Sequence, residues 1–296
     1  MSERSQRTVD TVSWRQLVVE TTAQVGDRPT ARWLCEVASG ADRLDDVLDE
    51  PATQRMVAHL DAMLARYEAN EPLAYVLGRW GFRHLDLFVD ARVLIPRPET
   101  EVVAGAAIDL VRAMPRPVVV ADLGTGSGAI GLALAAELPL EGVTVWLTDA
   151  DLGALDVAQA NLAGIGRHGA NVRIARGSWF DALPAGTVLD LAVANPPYIA
   201  AGSPHVDDSV RHWEPHHALF AGADGMDAVR HLVDAAPRWV TPCGWLVLEI
   251  GADQGASVNQ LLVDAGYEEV EIRPDLAGRD RVALGRVASR TSPRSR

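Results

Sequence analysis

"VVVADLGTGSGAIGLALAAEL", residues 118–138, joins three textures in one short stretch. Val118–Leu123 is an apolar run of strand length that opens on three β-branched residues. Gly124, Gly126 and Gly128 then alternate, and residues 129–138 are apolar almost all round, the pattern of a buried helix. A strand passing through a glycine turn into a buried helix is the opening of a parallel α/β unit. Working outward, the same alternation continues downstream: strand 143–149 and helix 152–164, strands 171–176 and 188–194, helix 226–240, strand 244–250, helix 255–266, and closing strands 267–273 and 281–287. The pattern predicts a Rossmann-like, open and mostly parallel sheet with helices on both faces, binding its ligand beyond the strands' carboxyl ends. No internal repeat of fixed period is visible.

Upstream the texture differs. From about Trp14 to Asn70, apolar residues recur three and four apart, punctuated by Gly40 and Pro51, which predicts a helical unit over residues 1–72. "YVLGRWGFRHLDLFVDARVLIP" is aromatic and β-branched, with a Gly and an Arg-His at turns, so residues 73–95 are expected to form a linking β-hairpin. The sheet domain then runs over 96–287, and the small polar residues of 288–296 are expected to be a disordered tail.

The 296 residues, 48% hydrophobic and 23% charged, have the composition of an ordinary globular protein. No run approaches the roughly 18 apolar residues of a membrane span, and "MSERSQRTVD" lacks the apolar core of a signal peptide, so a cytoplasmic location is expected with no membrane partner. A net charge of −13 argues against direct gripping of nucleic acid, which needs clustered Lys and Arg. Cys35 and Cys243 show no pairing or metal-ligand spacing and are expected to be buried, reduced thiols.

The chemistry starts at the glycine turn. Alternate glycines admit φ > 0 and let backbone N–H groups approach a ligand. No Lys-Ser or Lys-Thr follows, which removes the phosphate-loop reading, and Asp122, two residues before Gly124, suits a ligand with a positive end better than a pyrophosphate. Asp149 ends the second strand about 20 residues on, where a carboxylate can accept both hydroxyls of a ribose; a strand-ending Asp is equally a helix N-cap, a role open to Asp151 as well. Together these features fit S-adenosylmethionine: an adenosine with no phosphate and a sulfonium cation. The fourth strand runs into Asn195-Pro196-Pro197-Tyr198, where two prolines end the ladder and make the chain stiff.

Asp122-Leu-Gly-Thr125-Gly-Ser-Gly128, Asn195-Pro-Pro-Tyr198 and "VLIPRPETE" (Val93 to Glu101) together resemble the protein-glutamine N(5)-methyltransferases that modify peptide chain release factors, the PrmC/HemK family. The resemblance extends through "EPLAYVLG", "SWFDAL", "RHWEPHHALFAGADGMD" and "DLAGRDRVALGR". It implies a class I S-adenosylmethionine-dependent methyltransferase sheet, with class-1 release factors as protein substrate. It also implies a cofactor site of Asp122, Gly124, Thr125, Gly126, Gly128, Asp149, Trp179 and Asn195. By the same resemblance, the Asn195 side-chain oxygen and the Pro196 carbonyl accept the two N–H groups of the glutamine amide, Pro197 keeps them rigid, and Tyr198 packs on the flat amide. The resemblance differs at Ser178, where the family often has an acidic residue, so adenine's amino group is expected to be held by Ser178, a backbone carbonyl or water. Trp179 suits either an adenine neighbour or a core position, and Glu249 either a group supporting the site or a helix-start carboxylate.

Three other readings stay open on the residues alone: a DNA adenine methyltransferase, a ribosomal-protein glutamine methyltransferase, and a sensor that binds the cofactor without catalysis. His212, His216 and His217 do not read as a metal site, because Pro215 breaks the helix that would align them. A glutamine side chain offers little specificity by itself, so residues 1–72 are expected to recognise the protein substrate.

Overall fold

The protein is described by a computed structural model covering residues 12–203 and 207–289. The chain divides into two compact units, one of residues 12–79 with Asp208–Trp213, the other beginning at Trp80 and resuming at Glu214. In the first lie α1 (Trp14–Val25), α2 (Arg28–Ser39), α3 (Gln54–Glu68) and α4 (Leu73–Leu77). Their ends are written in the sequence. Ser13 and Gln16 form a reciprocal cap at the start of α1, Asp27 accepts the Thr30 N–H at the start of α2, and Gly26 and Gly40 close the two helices in the left-handed conformation. Trp14, Leu17, Leu34, Leu44, Leu60 and Met63 form the buried centre.

Strands β1 (Arg79–Phe82) and β2 (Leu85–Phe88) pair as the expected hairpin, shorter than the 73–95 segment because α4 occupies Leu73–Leu77. Next come α5 (Thr100–Ala113), β3 (Val118–Leu123), α6 (Ala129–Glu137), β4 (Val143–Asp149), α7 (Leu152–Gly164), β5 (Val172–Arg176) and β6 (Leu189–Ala194). The remaining elements are α8 (Asp208–Trp213), α9 (Asp227–Trp239), β7 (Val240–Glu249), α10 (Gly255–Asp264), β8 (Glu268–Pro274) and β9 (Asp280–Arg286). The seven-stranded sheet has the order β5-β4-β3-β6-β7-β9-β8, parallel from β5 to β7 and closed by the antiparallel β9 and β8. Strands after β3 go to one side and strands from β6 go to the other, so the order reverses between β3 and β6. That reversal opens a crevice at the strands' carboxyl ends. Register places it in detail: Leu123 pairs with Thr148 of β4 on one side and with Ala194 of β6 on the other. The glycine turn therefore emerges between Asp149 and Asn195.

Buried polar groups hold the loops to this frame. Asn161 of α7 accepts the Phe88 N–H at 2.7 Å and donates to Phe88 O and Ser127 O, tying the hairpin's end to the glycine loop. Glu214, 3% exposed, accepts from Ile95 N–H and from the Arg97 guanidinium at 2.5 Å, which anchors the "LIPRPET" segment.

One expectation changes, and one short helix carried no signal. Cys35 is buried, but Cys243 is exposed, because the first half of β7 runs past a register break opposite β6 and Cys243 itself turns left-handed there. The short α8 buries none of its side chains, so it leaves no periodic signal to read. Residues 290–296 of the expected tail and residues 1–11 of the expected helical domain lie outside the described residues. No helix among the described residues is long and apolar enough to cross a membrane.

Candidate active site

At the reversal point lies a cavity of about 270 Å³ whose wall includes Asp122, Gly124, Thr125, Gly126, Asp149, Trp179, Asn195 and Pro197. The glycine turn is tied by two hydrogen bonds to the carboxyl end of β4. Thr125 N–H donates to Thr148 O at 2.8 Å, and Gly126 N–H donates to Asp149 Oδ2 at 3.0 Å. Gly126 has φ +55°, and a Cβ there would meet nothing within 4 Å, so its backbone borders open space rather than packed protein. Gly124, at φ +69°, lies so close under Trp179 that a Cβ would come within 2.9 Å of the indole. Glycine is needed at these two positions for different reasons, conformation at one and conformation plus contact at the other.

Asp149 is oriented before any ligand arrives. Its Oδ2 accepts from Gly126 N–H and its Oδ1 from Asp151 N–H at 3.0 Å, leaving each oxygen a further lone pair. The N-cap role falls to Asp151, whose Oδ1 accepts the Gly153 N–H that opens α7. Asp122 has a more structural part than its position suggested. It is buried, and its Oδ2 accepts both the Thr125 hydroxyl at 2.6 Å and the Gly131 N–H at 2.8 Å, so it clamps the turn to the first turn of α6. Burial pushes its carboxyl up to about 6, against those two hydrogen bonds.

On the β6 side, Asn195 lines the cavity and donates from Nδ2 to Thr100 Oγ1 at 3.3 Å. Thr100 donates in turn to Glu249 Oε2 at 2.6 Å, and the Tyr198 hydroxyl donates to Glu249 Oε1 at 3.3 Å. Glu249 is completely buried, and burial pushes it up to about 7, opposed by Thr100 and the Arg281 charge. Burial and the Glu249 charge raise the Tyr198 hydroxyl, which keeps it a donor. Glu249 ends β7 beside the site while α10 begins only at Gly255, so it supports the site rather than starting a helix.

Of the sequence-predicted residues, Gly128, Pro196 and Tyr198 are not on the cavity wall. Gly128 precedes α6 and sits against Leu132; the Pro196 side chain is buried; Tyr198 turns to Glu249 with the Arg281 guanidinium 5.9 Å from its ring centre. Ser178 and Trp179 both line the cavity. Arg92, Pro96, Thr100 and His217 line it too, unanticipated as site residues, although Pro96 and Thr100 belong to the "LIPRPET" signal. His217 Nε2 is 3.5 Å from Asp151 Oδ2. Among the described residues no His, Cys, Asp or Glu cluster is arranged to hold a metal.

The residues present fit an adenosyl ligand with a cationic end: an oriented ribose acceptor, a glycine turn bordering open space, an indole beside it and an acidic floor. Comparisons with known proteins agree on the class. The methyltransferase small domain family matches residues 100–212. The chain is 45% identical over 240 residues to the release factor glutamine methyltransferase of Xylella fastidiosa strain Temecula1, covering 80% of this chain and 84% of that one. With the protein of the same description from Gloeobacter violaceus it is 41% identical over 280 residues, 92% of this chain and 95% of the other. Among solved structures, a methyltransferase from Pyrococcus furiosus matches with a TM-score of 0.50 at 18% identity, covering 77% of this chain and 99% of that one, a likeness of fold alone.

Proposed function

This chain belongs to the release factor glutamine methyltransferase family, and from that premise we propose that it methylates the side-chain amide nitrogen of the glutamine in the Gly-Gly-Gln motif of class-1 peptide chain release factors. The observation that carries the reading is the meeting, at one reversal point, of an adenosyl-type cradle with an asparagine whose amide is held from behind. S-adenosylmethionine, when bound, supplies a methyl group activated by a sulfonium that leaves as a neutral thioether. Asp149 would hold the ribose hydroxyls, Gly126 would border the ligand with bare backbone, and Trp179 would lie along the adenine.

The protein's own work on the acceptor is positioning. An amide nitrogen is a poor nucleophile because its lone pair is shared with the carbonyl. Asn195 Oδ1 accepting one N–H and the Pro196 carbonyl accepting the other would turn the nitrogen toward the cavity and favour charge building on it. The prolines keep both acceptors from moving, and the proton lost on methylation leaves after transfer, so no buried general base is required.

The helical unit of residues 1–72 is proposed to recognise the protein substrate. The acidic chain makes direct nucleic acid binding no part of the reading, and the reaction belongs in the cytoplasm with translation. Mass spectrometry of a release factor incubated with the protein and cofactor tests the function. A gain of one methyl on the Gly-Gly-Gln glutamine is expected, and an unmodified glutamine beside a methylated adenine or a methylated ribosomal protein would overturn it.

A further inference from the structure

Thr100 ends "LIPRPET" and opens α5, 3% exposed. Its hydroxyl has one proton. That proton goes to Glu249 Oε2 at 2.6 Å, so toward Asn195 the Thr100 oxygen offers only lone pairs and must face a donor. The amide edge of Asn195 turned to Thr100 is therefore Nδ2, and the edge left for the cavity is Oδ1. Backbone register makes the arrangement possible: Ala194 pairs with Leu248 in the parallel β6–β7 ladder, so the next residues, Asn195 and Glu249, leave the sheet side by side.

We propose that Thr100 and Glu249 are positioning residues, a relay that sets which edge of the Asn195 amide meets the acceptor substrate. The inference rests on the reading of Asn195 as the acceptor for the glutamine N–H. An asparagine turned the other way would oppose that N–H with its own, so the relay separates a productive site from a repelling one. Tyr198 belongs to the same device: by donating to Glu249 Oε1 it occupies the carboxylate's second oxygen.

The relay has a pH sense. Glu249 faces Thr100 from α5, the Glu99 charge just before that helix, Tyr198 from the chain after β6, and Arg281 from β9, which itself bonds Ile250 O and lies 3.8 Å from Asp275. Ionised, Glu249 can only accept. Protonated, it can donate to Thr100, whose proton is then free for Asn195 Oδ1, and the amide turns over. Methyl transfer should therefore rise with pH through about 7, where Glu249 ionises.

Two measurements decide. Neutron diffraction from the deuterated full-length protein with S-adenosylhomocysteine at pH 8 should show the deuterons of Asn195 on the Thr100 edge, and deuterons on the opposite edge would overturn the relay. Single-turnover transfer to a release factor should fall about three- to tenfold in Thr100→Val, the worth of one oriented hydrogen bond, with KM little changed and the rise near pH 7 lost. Thr100→Ser should recover to within about twofold, because it keeps the hydroxyl. Equal loss in both variants, or none in Thr100→Val, would reduce Thr100 to a packing role and overturn the proposal. If the wild-type protein leaves the glutamine unmethylated, the functional reading falls, while the neutron map still decides for or against the relay.

Discussion

Replacing Asp149 by alanine removes a carboxylate that is already aligned by two backbone donors, Gly126 N–H and Asp151 N–H. Because those tethers hold it before binding, little of its interaction with ribose hydroxyls would be spent on ordering the side chain. One hydrogen bond to a charged acceptor is worth about 1.5–3 kcal/mol, which corresponds to roughly 10–150-fold in dissociation constant. Calorimetric titration with S-adenosylhomocysteine should place Asp149→Ala within that range of weakening. The variant also removes one of the turn's two hydrogen bonds to β4's end, so loss of affinity alone does not isolate the ribose contact. A 2′-deoxy analogue resolves the two effects. It should bind the wild-type protein more weakly than the parent ligand, yet bind Asp149→Ala about as well as the parent does, because the partner of the missing hydroxyl is already gone. An unchanged affinity in Asp149→Ala would remove the residue from the site, and an undiminished penalty for the 2′-deoxy analogue in the variant would leave it only a tether for the turn.

Asn195→Ala should bind cofactor as the wild type does and lose about 10²–10³ in single-turnover rate, since the missing acceptor matters most as charge builds on nitrogen. Asn195→Asp should be slow at pH 8, where the new carboxylate and Glu249 compete for the one Thr100 proton, and should gain rate as pH falls through about 7, the reverse of the wild type; parallel pH profiles would refute this. Gly126→Val forces a β-branched residue to φ +55° beside the cavity and should abolish cofactor binding measured by calorimetry, so normal affinity would refute the loop's role. Asp122 is raised on folding, so its contribution to stability is present below about pH 4 and disappears as pH rises through about 6; from 3.8 to about 6 that is roughly 3 kcal/mol. The stability of Asp122→Asn relative to wild type, from urea unfolding at pH 4 and pH 7, should improve by about that amount, and a difference independent of pH would contradict it.

Much of this was legible because it is local. Val118–Leu123 and its glycine turn carry β-branching, positive-φ residues and uniform apolarity within 21 residues, and the structure has strand, turn and helix there. That Asp149 stands beside the turn was readable from its distance in sequence. What escaped was long-range or without periodicity. Asn195 meets Thr100 across 95 residues, and Thr100 meets Glu249 across 149, a coincidence that exists only once β6 and β7 are paired. Asp122 lines the cavity, but its clamp on the turn escaped, because the two hydrogen-bond donors it holds, one from a side chain and one from a helix turn, carry no sequence mark of their own. Cys243 was expected to be buried because it has no pairing or metal-ligand spacing, while the register break beside it exposes it.

The seam between β3 and β6 also divides the molecule's vulnerabilities. Donor-side groups, Gly126 and Asp149, hang from β3 and β4; acceptor-side groups, Asn195, Tyr198 and Glu249, hang from β6 and β7. The backbone ladder Val120–Leu123 against Leu191–Ala194 joins them, together with the Val119 N–H bond to Asp190 Oδ2 and a shared core. Changes to the loop after β6 would thus bear on the acceptor side while leaving the Gly126 and Asp149 side as it is, and an inhibitor that spans the seam would contact both sets of residues.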